Sequence, residues 1–381
     1  EKGDHHCIAE IVQRFEHPNI DVRHSAVKAL SKVVEKGDEH AMNAIAARLD
    51  HANAADVREA ATRAVVEVSP KSAKRAINEI TSRLEDEESV VRATAVEMMA
   101  QVVDKGDETA IDAVAARLEH GNSDVRRAAV RAMKQVADKG DKHAIDAVSS
   151  RLEHERQSVK RTAVRALKQV ADKGDEHAIT QVSKSLEHAS GEVRRAAAKG
   201  LTRVASLGDE HALSTVSMRF DNDDAESREG AVLALARISP KGSSRTIGML
   251  SKSLEDYDDM VRDASIMKFG NVVEKGDEQA VMSVSMRLEH KDAAVRKAAV
   301  KSLSQVVAKG DTRAITAVSN RLEHPDGGVR LAAIRGLTQV ADKDDDFALS
   351  AAVKRLDHPD AGVRESARTA VATITQKGNE R

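Results

Sequence analysis

The first residues that could do chemistry are Asp4, His5, His6 and Cys7, where two imidazoles and a carboxylate flank the one thiol of this 381-residue chain. A cysteine attacks as the thiolate and needs surroundings that lower its pKa. Fifteen histidines also raise the question of zinc. Eight occupy one recurring place: His17, His51, His120, His154, His188, His290, His324 and His358. Asp86, Asn222 and Asp256 stand there in three further stretches. A second set is His6, His40, His143, His177 and His211. Zinc holds its ligand atoms about 2 Å away, whereas equivalent positions on stacked helices lie roughly 10 Å apart, so successive members of a column cannot share an ion. No metal and no other cofactor is expected.

The spacing of these residues is the stronger signal. The tripeptide KGD starts at Lys2, Lys36, Lys105, Lys139, Lys173, Lys275 and Lys309, with weaker copies at Lys71, Leu207, Lys241, Lys343 and Lys377. The step from Lys105 to Lys139 recurs throughout, except between Lys36 and Lys71, where the loop DHANAADVR carries one additional residue. Eleven units therefore begin near 2, 36, 71, 105, 139, 173, 207, 241, 275, 309 and 343, and a twelfth starts at KGNER. In this register Cys7 takes the slot of Ala41 and Ala178, so it is expected to face the core as a small apolar side chain. No catalytic residue is expected, and a Gly-rich phosphate loop, a nucleophile elbow and a CxxC pair are all missing from the sequence.

Within a unit, apolar residues recur at steps of three and four, the helical period. In the unit from Lys105, the first helix (A) has the stripe Ala110, Ile111, Val114 and Leu118. The second (B) has Val125, Ala128, Ala129, Ala132, Met133 and Val136. Gly37 suits a left-handed turn and Asp38 a helix N-cap. Helix B follows an Asn, Ser or Asp such as Asn122, Ser190, Asp292, Asp326 or Asp360. One hairpin cannot cover both of its stripes, but stacked neighbours can. The expected fold is all-α, a right-handed α-α superhelix of about eleven 34-residue hairpins, forming one continuous solenoid over 1–381. Eleven hairpins advancing about 10 Å each would extend roughly 110 Å.

The stretch LEHPDGGVRLAAIRGLTQVADK, Leu322 to Lys343, resembles HEAT-like repeats, including the short variety of phycobilin lyase relatives. The resemblance covers essentially the whole chain and implies that helix B lines the concave face. It leaves function open, since such solenoids serve as scaffolds, transport receptors, lyases, hydroxylases and DNA repair enzymes. HEAT-like deoxyhypusine hydroxylases hold di-iron through His-Glu pairs, and only His154-Glu155 occurs here. The acyltransferases that share the Asp-His-His-Cys run embed it in a cysteine-rich segment between membrane spans, and neither feature is present.

Sixty Lys plus Arg nearly balance 62 Asp plus Glu, for a net charge of -2, so overall charge points to neither nucleic acid nor membrane. No apolar run approaches the roughly 18 residues that span a bilayer. A single cysteine agrees with an intracellular setting, cytoplasmic or organellar. With one Tyr, four Phe and no Trp, single-stranded nucleic acid lacks its usual stacking partners.

Arginine forms two columns. One is Arg23, Arg58, Arg92, Arg126, Arg194, Arg228, Arg262, Arg296, Arg330 and Arg364, with Lys160 in the remaining unit. The other, in helix A, is Arg14, Arg48, Arg83, Arg117, Arg151, Arg219, Arg287, Arg321 and Arg355. Such regularity favours structure, with each guanidinium bonding a carboxylate or helix-end carbonyl of the adjacent unit. Positions that vary along helix B are better binding candidates. Three consecutive B segments, 124–138, 158–172 and 192–206, carry net charges of +2, +3 and +3. The candidate partner-binding residues are therefore Arg127, Arg131, Lys134, Arg161, Arg165, Lys168, Arg195, Lys199 and Arg203.

Two joints reading SPK, Ser69 to Lys71 and Ser239 to Lys241, lie five units apart, and their following units share Arg75 with Arg245 and Asp86 with Asp256. A block of five hairpins has been duplicated. Each proline is expected to stop helix B and to change the local superhelix direction. The leading functional expectation is a non-enzymatic scaffold for protein partners with acidic or phosphorylated segments, within a larger assembly. The alternatives are a phycobilin lyase and polyanion or nucleic-acid binding through the basic strip, with nucleic acid ranked below protein as a partner and duplex DNA ahead of single strands. Ends without polar caps imply a longer array or partners that cover them.

Overall fold

The computed structural model describes residues 2–52 and 54–376. Twenty-two α-helices and seven short 3-10 turns form the regular structure, and no strand occurs among the described residues. Asn53 in the longer loop, and the twelfth repeat at KGNER, lie outside the described residues. Contacts gather the chain into two compact bodies, Glu1–Ser185 and Leu186–Arg381. Within each, helix A packs against its own helix B and against the next A, while each B packs against the next B. The architecture is an α-solenoid.

Short and long helices alternate. Helix A runs from 8 residues (Glu210–Ser217) to 11 (Glu39–Leu49), and helix B is 14 long, as in Ser123–Val136, except for the last, Ala361–Gln376, which has 16. The KGD turn sets the hairpin. Gly37 has φ +94°, a conformation that costs an L side chain roughly 1–2 kcal/mol. Its N–H donates to the last helix-B carbonyl of the same hairpin, Val68 O, at 2.7 Å. Asp38 then accepts the Ala41 N–H at 2.9 Å, satisfying a free donor of the new helix. Two hairpins depart from this: Ser72 and Asp344 occupy the glycine slot at φ 54° and 55°. In the first of them Ala73 also replaces the aspartate and offers no side-chain cap.

The apolar stripes close the core as expected. Ala110, Ile111, Val114 and Leu118 are buried, as are Val125, Ala128, Ala129, Ala132, Met133 and Val136. Asn122, Asp292, Asp326 and Asp360 cap their B helices, but Ser190 makes no side-chain cap bond.

Two expectations need correction. Cys7 is exposed, although Ala41 and Ala178 in the same slot are fully buried. Helix B does stop two residues before each proline, at Val68 and Ile238, but proline does not set that end, because hairpins without it stop in the same register, at Val102 and Val136. The ring of Pro70 instead lies beside Gly37, and that of Pro240 beside Gly208.

Candidate partner-binding surface

The first arginine column is structural, with geometry that differs partly from expectation. Nη1 of Arg23 donates to the carbonyls of His17 and Pro18 in its own hairpin, at 2.9 and 3.0 Å. Arg228 does the same to Asn222 and Asp223, and Arg194 to His188 and Ala189. Only the carboxylate partner comes from the adjacent hairpin: Asp56 for Arg23, Asp86 for Arg58, Asp124 for Arg92, Glu229 for Arg194 and Asp256 for Arg228. These five guanidiniums thus staple their own A–B loop and the next hairpin together, whereas Arg126, Arg262, Arg296 and Arg364 bond the carbonyls of their own loop. The Arg58 and Arg228 guanidiniums are raised above the ordinary arginine range, chiefly by hydrogen bonds to Asp86 and Asp256. Burial is the largest single influence on the Asp86 carboxyl and would raise it, but the Arg58 hydrogen bonds, the Glu88 N–H and the charges of Arg58 and Arg83 together hold Asp86 below the usual carboxylate value.

Helix A carries a second ladder. Nε of Arg117, Arg151 and Arg219 lies 2.8–2.9 Å from Glu85, Glu119 and Glu187 of the preceding hairpin. Arg287, Arg321 and Arg355 repeat this with Glu255, Glu289 and Glu323. Burial lowers the Arg321 pKa despite Glu289.

Seven of the eight histidines of the first column act as acceptors among the described residues. Nδ1 of His154 takes the backbone N–H of Arg156 at 3.0 Å, and His17, His120, His188, His290, His324 and His358 bond the residue two positions on in the same way. Asp86, Asn222 and Asp256 do this with a side-chain oxygen, each at 2.9 Å. The slot demands an acceptor, which is why these residue types interchange there. In the second column, His143 and His177 pair with Asp112 and Asp146 of the preceding hairpin at 2.8 and 2.7 Å. No cluster of three or more His, Cys, Asp or Glu residues able to hold a metal occurs among the described residues.

The cations chosen from helix B behave differently. All nine are exposed. Among the described residues only Arg127 makes an ion pair, with Asp124 one helical turn back. Arg127 and Arg131 on helix B Ser123–Val136 meet Arg165 of the next helix B, Gln157–Val170, around a groove of about 670 Å³. Arg126 of the structural column also lines it, together with Val130 and Thr162. Arg126 and Val130 are not among the candidate binding residues, and Thr162 forms the buried floor, its hydroxyl donating to the Ser158 carbonyl. Lys134, Arg161 and Lys168 are exposed on the same two helices outside the groove lining, and Arg195, Lys199 and Arg203 are exposed on Gly191–Val204 of the other body.

The residues match the family model described as HEAT repeats in four overlapping stretches, 77–168, 114–183, 145–236 and 179–270, which together reach across just over half of the chain. The chain belongs to the HEAT-repeat family. Among solved structures it is similar to an engineered protein, at 18% identity over 97% of this chain and 98% of that one, with a TM-score of 0.28. It is also similar to the karyopherin Kap121p bound to Ste12p, at 13% identity over 97% and 45% of the two chains, with a TM-score of 0.44. A third is a structure of tubulin recruitment and assembly by microtubule polymerases with TOG domain arrays, at 12% identity over 97% and 94%, with a TM-score of 0.36. The chain spans under half the length of the Kap121p chains. No curated protein matches it. With every one of these TM-scores below 0.5, neither curvature nor binding behaviour carries over.

Proposed function

We propose that this chain is a non-enzymatic interaction scaffold that binds acidic or phosphorylated segments of protein partners along the face formed by its B helices. The observation that carries this reading is the contrast among arginines of one repeat. The 126-type column spends its guanidiniums on loop carbonyls and carboxylates, while Arg131, Arg161 and Arg165 stand exposed without a carboxylate partner among the described residues. Clustered like charges repel, so an unneutralised group on a folded surface opposes stability unless an anion relieves it. Guanidinium, being planar and five-fold donating, suits two-pronged bonding to carboxylate or phosphate. Arg127, Arg131 and Arg165 around one groove can hold a doubly charged phosphate or adjacent acidic residues.

The test is fluorescence anisotropy with a labelled peptide of alternating phosphoserine and glutamate. Charge reversal at Arg127, Arg131 and Arg165 should weaken binding at least tenfold. Affinity unchanged by that triple reversal, with the helical content of the variant intact, rules the reading out. Tighter binding of duplex DNA than of the peptide at matched salt would favour a polyanion site instead.

A further inference from the structure

The five-hairpin duplication has duplicated the groove. Arg126, Arg127, Arg131 and Arg165 recur five hairpins on as Arg296, Lys297, Lys301 and Arg335. These four cations line a second groove, of about 270 Å³, between helix B Ala293–Val306 and helix B Gly327–Val340. The same helix pair within the five-hairpin block thus forms a basic groove in each compact body. The sequence charge count had passed over the second copy.

The copies are not identical, and the differences fall in the lining. Lys297 and Arg335 are exposed without an ion pair among the described residues, whereas Lys301 reaches Asp263 at 3.4 Å. Thr162 of the first groove becomes Ala332, removing a hydroxyl. The position of Arg161 becomes Leu331, which lines the second groove with 45% of its surface exposed. One free charge has been exchanged for an apolar contact, while two unpaired cations remain beside it.

We infer that the second groove is a distinct docking site for an acidic protein segment that carries a large apolar side chain, its carboxylates meeting Lys297 and Arg335 and its apolar group packing on Leu331. Charge complementarity sets the sign of the partner, and Leu331 sets its preference for an apolar anchor. The inference rests on the proposed reading of the B-helix face but not on the first groove itself.

Isothermal titration of the whole chain with two glutamate-rich peptides of equal length, one with a central leucine and one with glutamine in its place, tests this. Two leucine peptides should bind per chain. The pair K297E/R335E should reduce that to one, and R127E/R165E should separately reduce it to one. L331Q should keep both sites but weaken the leucine peptide at one of them about fivefold to tenfold, leaving the glutamine peptide unchanged. If K297E/R335E leaves two sites, or L331Q leaves the ratio of the two peptides unchanged, the inference is overturned. A silent R127E/R165E with the other two results intact overturns the first-groove reading alone. Binding of duplex DNA but of neither peptide overturns both.

Discussion

Arg228 grips Asp256 with two prongs, Nε at 2.8 Å from one carboxylate oxygen and Nη2 at 2.9 Å from the other, and its guanidinium lies 4.3 Å from the centre of the Tyr257 ring. Arg58 and Asp86, five hairpins earlier, form the same fork at 2.7 and 2.9 Å. These are the two hairpin junctions that precede an aspartate where histidine is usual. The carboxylate there does two jobs, accepting the N–H two residues on and neutralising the buried guanidinium of the preceding hairpin.

Removing Asp86 therefore exposes the fold to an unpaired buried cation. Asp86→Ala should destabilise by about 3 kcal/mol, and Asp86→Asn by less, since the amide oxygen can still accept the Glu88 N–H. The pH dependence follows from the lowered carboxyl. A depressed pKa contributes stability above the unfolded-state value near 4 and loses it as pH falls through the folded-state value. Urea midpoints of wild type and Asp86→Asn should differ at pH 7 and converge below about pH 4; a constant gap would show that the charge does not matter.

Restoring the repeat consensus should stabilise. Asp344→Gly relieves a left-handed φ of 55° and should gain about 1 kcal/mol. Ser72→Gly should gain less, because the Ser72 hydroxyl accepts the Asp104 N–H at 3.1 Å and part of the relief is lost with it. Ala73→Asp supplies the missing cap, for about 1 kcal/mol more. Thermal unfolding of the three single variants checks the order.

At the histidine slot, His154→Ala should cost about 1 kcal/mol by orphaning the Arg156 N–H, while His154→Asn should be near neutral, as Asn222 already fills the slot. Equal losses for both would refute the acceptor role.

Gly230 is required for a different reason. A Cβ built there would collide with the carbonyl oxygen of Leu186, and backbone cannot yield as a side-chain tip does. Gly230→Ala should destabilise by about 2 kcal/mol, although Ala128 and Ala298 hold the equivalent position in other hairpins. Denaturant titration of that one variant decides it.

Cys7 should react with a thiol reagent in the native state at the rate of an open thiol, and Cys7→Ala should leave stability within about 0.5 kcal/mol. A thiol that reacts only after unfolding would contradict its exposure.

Much of this was legible in the linear spacing. The repeat period, the paired helices, the Gly-Asp punctuation and both apolar stripes are local properties, and the stripes they mark are the ones the structure buries. The role of the histidine column could be placed at a helix end but not resolved, because its hydrogen bond depends on the rotamer of one ring. Arg126 and Arg127 are chemically identical neighbours that only their place in the repeat separates in sequence, Arg126 standing in the regular column and Arg127 beside it, and the bonds each makes depend on the fold. One faces its own loop carbonyls and the other solvent and Asp124.

The sequence by itself determined the repeat, where most helices start and the identity of the core, because helical periodicity and capping act within a single turn. Tertiary structure alone decided which charges are neutralised, that Cys7 lies open, and that four cations converge twice, once in each compact body. Those outcomes depend on through-space distances between residues of successive repeats, set by how one hairpin seats on the next.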